Sequence, residues 1–223
     1  MSSLSPRYQK IWERVKDELS SSSHGIDHTG RVYRLSKTLA DDETERDVLT
    51  PAALLHDIAR EKEDSDQTGE IDHARLGAEM AEEILIQNGF DEQKIERIKH
   101  CILTHRYRSG KRPKTKEAKI LSDADKLDAI GAVGIARSFI VAGEYDEVLY
   151  RDVDVEYYAQ DNLTEEGRVI EVQKHAPNLE YELKLKKIKE RLFTDKAKRI
   201  GKERQEFMES FFRRLKREIE GKK

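Results

Sequence analysis

Residues 53–60 read Ala53-Leu54-Leu55-His56-Asp57-Ile58-Ala59-Arg60. Its pattern sets a His-Asp pair inside an almost entirely apolar helix. A carboxylate there is costly unless it is paired or binds a cation. A single histidine on an apolar face is ordinarily a hydrogen-bonded core residue. An adjacent His and Asp in such a run is an odd way to build a core, and it directs attention to chemistry.

Working outward, helical spacing recurs along the chain. Thr50-Pro51 predicts a cap and a proline at the first helical position, opening the helix that runs through Ala59. Upstream, Ser5-Pro6 starts a helix with Tyr8, Ile11, Trp12, Val15 and Leu19 at matching spacing. Ser20 to Ser23 reads as a loop. A second helix spans Ile26 to Ala40 with Val32, Leu35 and Leu39 inside, and Asp41 to Asp47 is a polar connection. Downstream, Glu61 to Glu70 reads as a charged loop. A helix over Asp72–Gln87 ends at the stop signal Asn88-Gly89. Asp91 caps a helix carrying Ile95, Ile98 and Ile102.

Residues 106–116 form a basic loop with Arg106, Arg108, Lys111, Arg112, Lys114 and Lys116. A long helix is predicted from Glu117 to Val141, with Gly131 and Gly134 tolerated inside it. Residues 143–178 mix polarities, and Val153 and Val155 suggest a short strand. Leu179, Leu183, Ile188 and Leu192 mark one further helical pattern. Phe207, Phe211, Phe212, Leu215 and Ile219 mark another. With no repeat and no linker, the chain reads as one all-α domain over 1–223, with an irregular or short-strand insertion near 145–175.

Composition agrees. Of 223 residues 39% are charged and 36% hydrophobic, and mean hydropathy is -0.83, as helices with wet outer faces require. No apolar run approaches the roughly 20 residues of a membrane span, and MSSLSPRYQK lacks a secretory pattern. One cysteine, Cys101, excludes an internal disulfide framework and fits a cytoplasmic chain. The net charge of -3 excludes wholesale nucleic-acid binding. From Asp195 onward 11 basic and 6 acidic residues interleave. That excess could touch RNA, but interleaved signs more often mark a solvated helix face.

Three further histidines share apolar stripes. His28 precedes Val32, Leu35 and Leu39 on their face, His73 lies near Leu76 and Met80, and His105 follows Ile98 and Ile102. Four inward histidines on four helices suit convergence on one divalent metal, with carboxylates completing the set. Asp123 and Asp125 both offer a carboxylate. Their side chains diverge by about 160°, so one site does not use both equally, and periodicity leaves the choice open. His24, His100 and His175 lack this placement. Tyr145, Tyr150, Tyr157 and Tyr158 could stack a base, although packing is their ordinary use.

The order His28, His56-Asp57, Asp125 resembles the His…His-Asp…Asp signature of the HD-domain metal-dependent phosphohydrolases. The local words "HGIDHTGRV", "ALLHDIAR" and "ILSDADKLDAIG" carry the resemblance, which spans about residues 24–137 and continues more weakly into C-terminal helices over 178–221. Closest in type are small stand-alone prokaryotic members, some of them similar to nucleoside triphosphate pyrophosphohydrolases. In that family the last aspartate follows Ala and precedes Lys or Arg and Leu, which selects Asp125.

The resemblance implies an all-α HD bundle with His28, His56, Asp57 and Asp125 on a divalent ion. Mn²⁺, Mg²⁺, Fe²⁺, Co²⁺, Ni²⁺ and Zn²⁺ all suit such a set. Two open positions on an octahedral ion would take a more acidic water and a phosphate oxygen. His73 and His105 would hold a second ion, which Asp57 could bridge, or would bind phosphate; the phosphate role fits the mononuclear members this chain resembles. Several HD nucleotidases and alarmone hydrolases carry an acid where Arg60 stands here. That counts against an alarmone hydrolase and leaves the general base open. Arg60 could clamp phosphate and Glu61 could orient water. Lys126, Arg106 and Arg137 are further candidates for phosphate. The implied activity is metal-dependent hydrolysis of a small phosphorylated substrate, first among them a (deoxy)nucleoside triphosphate with pyrophosphate release. A phosphomonoesterase or phosphodiesterase is the rival enzyme. A non-catalytic nucleotide- or RNA-binding module with a structural metal is the rival from another class.

Overall fold

A computed structural model describes residues 4–19, 25–106, 111–165 and 167–222. The serine run Ser20–Ser23, His24 and Arg108 lie outside the described residues. The fold is all-α, and among the described residues the only β pairing is an isolated antiparallel bridge between Leu163 and Val169. No described helix is long and apolar enough to cross a membrane. The chain divides into two compact units, Met1–Asp128 and Ala129–Lys223.

The first unit holds α1 (Pro6–Glu18), α2 (Ile26–Leu39), α3 (Arg46–Leu55), α4 (Arg60–Asp64), α5 (His73–Gln87), α6 (Glu92–Thr104) and α7 (Lys116–Asp128). Its centre is α3, whose Val48, Leu49, Pro51, Ala52, Ala53, Leu54 and Leu55 are all buried. A helix apolar on every side belongs inside a bundle, and α3 packs against α1, α2, α6 and α7. The caps explain the surrounding boundaries. Pro6 opens α1, Asp72 accepts from Ala74 N to open α5, and Asp91 accepts from Lys94 N to open α6. Gly89, at φ +69, supplies the left-handed residue after α5.

Four boundaries differ from the sequence expectation, one of them the end of α3, which stops at Leu55 and leaves His56 and Asp57 in the turn beyond it rather than inside the helix. Of the other three, the first is the start of α3, which falls at Arg46 and sets Pro51 within the helix rather than at its head. The missing N–H falls in the second turn, where burial of the surrounding apolar side chains outweighs one lost hydrogen bond. Second, the charged run after Ala59 is helical over Arg60–Asp64, with Arg60 paired to Glu63 and Asp64 along the turn. Third, the helix expected over 117–141 stops at Asp128 and resumes at Gly131.

The second unit contains α8 (Gly131–Glu144), α9 (Val155–Asn162), α10 (Pro177–Leu183) and α11 (Asp195–Ile219), with 3₁₀ turns at Val172–Lys174 and Leu185–Arg191. Val155 opens α9 and Val153 lies in a bend before it, so the expected strand is replaced by a helix. Asp154 explains this, since its side chain caps α9 by accepting from Tyr157 N at 2.8 Å. Tyr158, Ala176 and Leu179 form a buried cluster there.

The break before α8 is built from its glycines. Gly131 has φ +80, a conformation that side chains resist. A Cβ on Gly134 would stand 2.2 Å from the Ala129 carbonyl oxygen. Neither residue is a tolerated passenger in a continuous helix; both specify the turn. Gly134→Ala is expected to destabilise the chain by about 1–3 kcal/mol. Thermal unfolding checks this, and an unchanged melting temperature would show that the turn relaxes without cost.

Candidate metal centre

Four elements of the first unit bring the central side chains together. His28 sits in the first turn of α2, and His56 and Asp57 lie just beyond the last turn of α3. His73 opens α5, and His105 follows the last residue of α6. All five residues are buried: His56 is 0% and Asp57 5% exposed. The apolar bundle thus closes around a set of polar groups it would otherwise exclude.

The distances define two halves that meet at Asp57. On one side, His28 Nε2 lies 3.3 Å from His56 Nε2 and 3.5 Å from Asp57 Oδ2, with His56 Nε2 3.7 Å from the same oxygen. Asp125 Oδ1 stands 3.4 Å from His28 Nε2, and its side chain is 24% exposed. On the other side, His73 Nε2 and His105 Nε2 each lie 3.3 Å from Asp57 Oδ1, and 3.4 Å from one another.

The outer nitrogens fix the hydrogen positions of the four rings. His56 Nδ1 faces the Ala53 carbonyl at 3.0 Å, and His105 Nδ1 faces that of Ile102 at 2.6 Å. His28 Nδ1 faces Asp128 Oδ2 at 2.7 Å, and His73 Nδ1 faces Glu63 Oε2 at 2.7 Å. Each Nδ1 therefore donates its hydrogen outward. In the neutral ring each Nε2 then carries a lone pair, and all four point at one another and at a carboxylate. Acceptors facing acceptors in a buried site require a cation between them. Ligand atoms about 2.1 Å from one ion lie about 3.0–3.4 Å apart at octahedral or tetrahedral angles. The observed spacings of 3.3–3.7 Å lie at the upper edge of this range and slightly beyond it.

The electrostatics agree. Burial pushes the His56 imidazole down to about 4, so it is neutral at pH 7 and free to ligate. Burial opposes the charges on Asp57 and Asp125, yet the surrounding imidazoles hold both carboxylates well below their usual range. His105 goes the other way: burial would lower it, but with no ion between them its Nε2 shares a proton with Asp57, which raises it, so a cation bound there would displace that proton. Outside the site, burial pushes the Cys101 thiol up to about 12, which makes it a core residue rather than a nucleophile.

The cationic candidates are placed less uniformly. Arg60 pairs with Glu63 at 2.9 Å and Asp64 at 3.1 Å, and Arg106 pairs with Glu63 at 2.9 Å. Both guanidiniums therefore stand at the His73 half already bonded to carboxylates. Lys126 is buried and donates to Ser122 Oγ and, at 3.2 Å, to Ser122 O; Ser122 Oγ in turn donates to the His105 carbonyl. Glu61 is half-buried on α4 and Arg137 half-buried on α8 of the second unit. Lys116, from the basic loop, is committed to Asp41 at 2.7 Å and Glu43 at 2.8 Å. It lies nine residues before Asp125 on α7, about 13 Å along the axis. His100 accepts from Lys114 N, and His175 is buried against Tyr158 in the second unit.

Sequence reasoning missed Glu63, Arg31 and Asp128. Glu63 accepts from His73, Arg60 and Arg106, and these partners hold its carboxyl at about 2 against the opposing effect of burial. It lay in a stretch read as a charged loop. Arg31 and Asp128 had a signal that was available: each lies three residues after a site residue, His28 and Asp125 respectively, and therefore on the same helix face.

A buried His/Asp cluster of this composition on an all-α frame is compatible with a divalent-metal site. Residues 25–130 match the HD domain family model. The Bacillus subtilis protein YpgQ is 31% identical over 206 residues, covering 90% of this chain and 87% of that one. The chain belongs to the HD-domain family of metal-dependent phosphohydrolases. A crystal structure of YpgQ in complex with ADP superposes with a TM-score of 0.71 at 27% identity, covering 95% of this chain and 94% of that chain. A predicted HD superfamily hydrolase from an uncultured Thermotogales bacterium superposes with a TM-score of 0.64, also at 27% identity, covering 96% and 94%. The 3'-5' exoribonuclease YhaM of Bacillus licheniformis is 32% identical over 142 residues, which are 55% of this chain and 44% of that enzyme.

Proposed function

We propose that this chain hydrolyses a phosphoanhydride in a small nucleotide, with (deoxy)nucleoside triphosphates as substrates and pyrophosphate as a product. The observation that carries the proposal is the convergence of four Nε2 atoms on Asp57, each with its Nδ1 hydrogen directed away. In this reading His28, His56, Asp57 and Asp125 hold the ion. A divalent ion, when bound, would supply Lewis acidity toward water and a phosphoryl oxygen. His73 and His105 face the phosphate beside Asp57, Arg60 and Arg106 steady its charge, and Lys126 is a further anion contact. Glu61 orients water. The ADP complex of YpgQ supports a nucleotide as the ligand class.

One observation favours a second reading of His73 and His105. Asp57 turns a different oxygen to each histidine pair, so its carboxylate can bridge two ions. Metal analysis separates the two: one ion per chain supports the phosphate role, and two support the bridge. Activity is tested by incubating the protein with Mn²⁺ or Mg²⁺ and a panel of nucleoside triphosphates, monophosphates, cyclic dinucleotides, short RNA and ppGpp. Nucleoside monophosphate plus pyrophosphate is the expected product pair. Release of inorganic phosphate alone, or of nucleotides from RNA, would replace the proposal with a phosphomonoesterase or a nuclease. No turnover with any of them would leave the binding-module reading.

A further inference from the structure

We propose that Asp128, locked by Arg31, is the positioning residue that keeps His28 ready for the ion; this deepens the metal reading above and rests on it. His28 and Arg31 are three residues apart on α2, and Asp125 and Asp128 are three apart on α7. Such pairs share a helix face, and α2 packs directly on α7. Each helix therefore offers the other two matched groups. Asp125 meets the inner nitrogen of His28, and Asp128 meets the outer one at 2.7 Å.

Asp128 is 1% exposed. A carboxylate buried so deeply needs a fixed counter-charge. Arg31 provides it through two parallel bonds, Nε to Oδ1 at 2.7 Å and Nη2 to Oδ2 at 3.0 Å. A planar guanidinium bound in this way sets the plane of the carboxylate as well as its charge. The carboxylate plane in turn fixes where the His28 Nδ1 hydrogen points, so Nε2 keeps its lone pair toward Asp57 and Asp125. Because Arg31 neutralises Asp128, the pair orients the ligand without adding net charge near the ion. Without Asp128 the ring is free to carry its hydrogen on Nε2, where it would oppose a cation.

The test is calorimetric titration of Mn²⁺ and of Zn²⁺, each alone, into the wild type, Asp128→Asn, His28→Ala and the double variant. Asp128→Asn is expected to weaken binding about 10–100-fold. On the His28→Ala background the same change should cost less than about threefold, because a residue acting through His28 has nothing left to position. Equal losses on both backgrounds, or an Asp128→Asn affinity equal to wild type, would overturn the proposal. A wild type that binds neither ion would instead defeat the metal reading itself. Nitrogen-15 spectra of the ion-free wild type need no variant: His28 protonated on Nδ1 is expected, and protonation on Nε2 alone would sink the proposal.

Discussion

Asp57→Asn should remove ion binding and hydrolysis together while leaving the fold intact. Among the described residues Asp57 alone is common to both halves of the cluster, with Oδ2 facing His28 and His56 and Oδ1 facing His73 and His105. Asparagine keeps the shape and one acceptor oxygen, but replaces the other with a donor and removes the charge. The donor would point at imidazole lone pairs, and the remaining ligands would face a cation with Asp125 as their sole carboxylate. A loss of at least about 10³-fold in turnover is expected, since the acid strengthening that a metal gives to water depends on the ion being present. Stability offers an independent readout. An ion at 100 times its dissociation constant stabilises the folded chain by about 2.7 kcal/mol, which for this length raises the melting temperature by about 5–10 °C. The wild type should show that rise on adding Mn²⁺ and the variant should not. Without metal the variant should melt somewhat lower than wild type, because the imidazoles that hold the Asp57 carboxylate charged lose that partner. If Asp57→Asn still responds to Mn²⁺ like the wild type, the ion does not sit where the distances place it.

The features that could be read from sequence share a physical character: each depends on near neighbours. The start at Pro6, the cap at Asp91 and the stop at Gly89 are local, and so is the register that turns His28 and His105 inward. What escaped was decided by groups distant in sequence or by steric limits. Pro51 looked like a helix start because its ring permits one, and only the packing around α3 shows that the helix began five residues earlier. Gly131 and Gly134 looked harmless within a helix because a turn and a carbonyl clash are invisible in spacing. Glu63 lay among alternating charges, and nothing nearby reveals that His73, ten residues on, completes it. Asp128 was hidden for the opposite reason. It sits in an acidic run where Asp123 and Asp125 had already drawn attention, and its partners are about 100 residues away on α2.

That acidic run yields the sharpest contrast between two neighbouring residues. Asp125→Ala should weaken Mn²⁺ binding and turnover by about 10²-fold or more, whereas Asp123→Ala should leave both near wild type. Rotation of about 100° per residue sends side chains two positions apart to opposite sides of α7. Only Asp125 lies 3.4 Å from His28 Nε2, and it is partly open to solvent as a ligand near a substrate entrance must be. Asp123 is fully buried, and a buried carboxylate in a folded protein is held by hydrogen bonds. Removing it strands those partners, at a cost of about 1–3 kcal/mol. The two variants should therefore fail in opposite assays. Asp125→Ala should melt only slightly below the wild-type temperature in the absence of metal, since this carboxylate is partly open to solvent, but gain little when Mn²⁺ is added. Asp123→Ala should melt several degrees lower yet respond to Mn²⁺ like the wild type. The reverse pattern, metal response lost in Asp123→Ala and kept in Asp125→Ala, would assign the ligand to the wrong side of α7 and overturn the coordination set built on it.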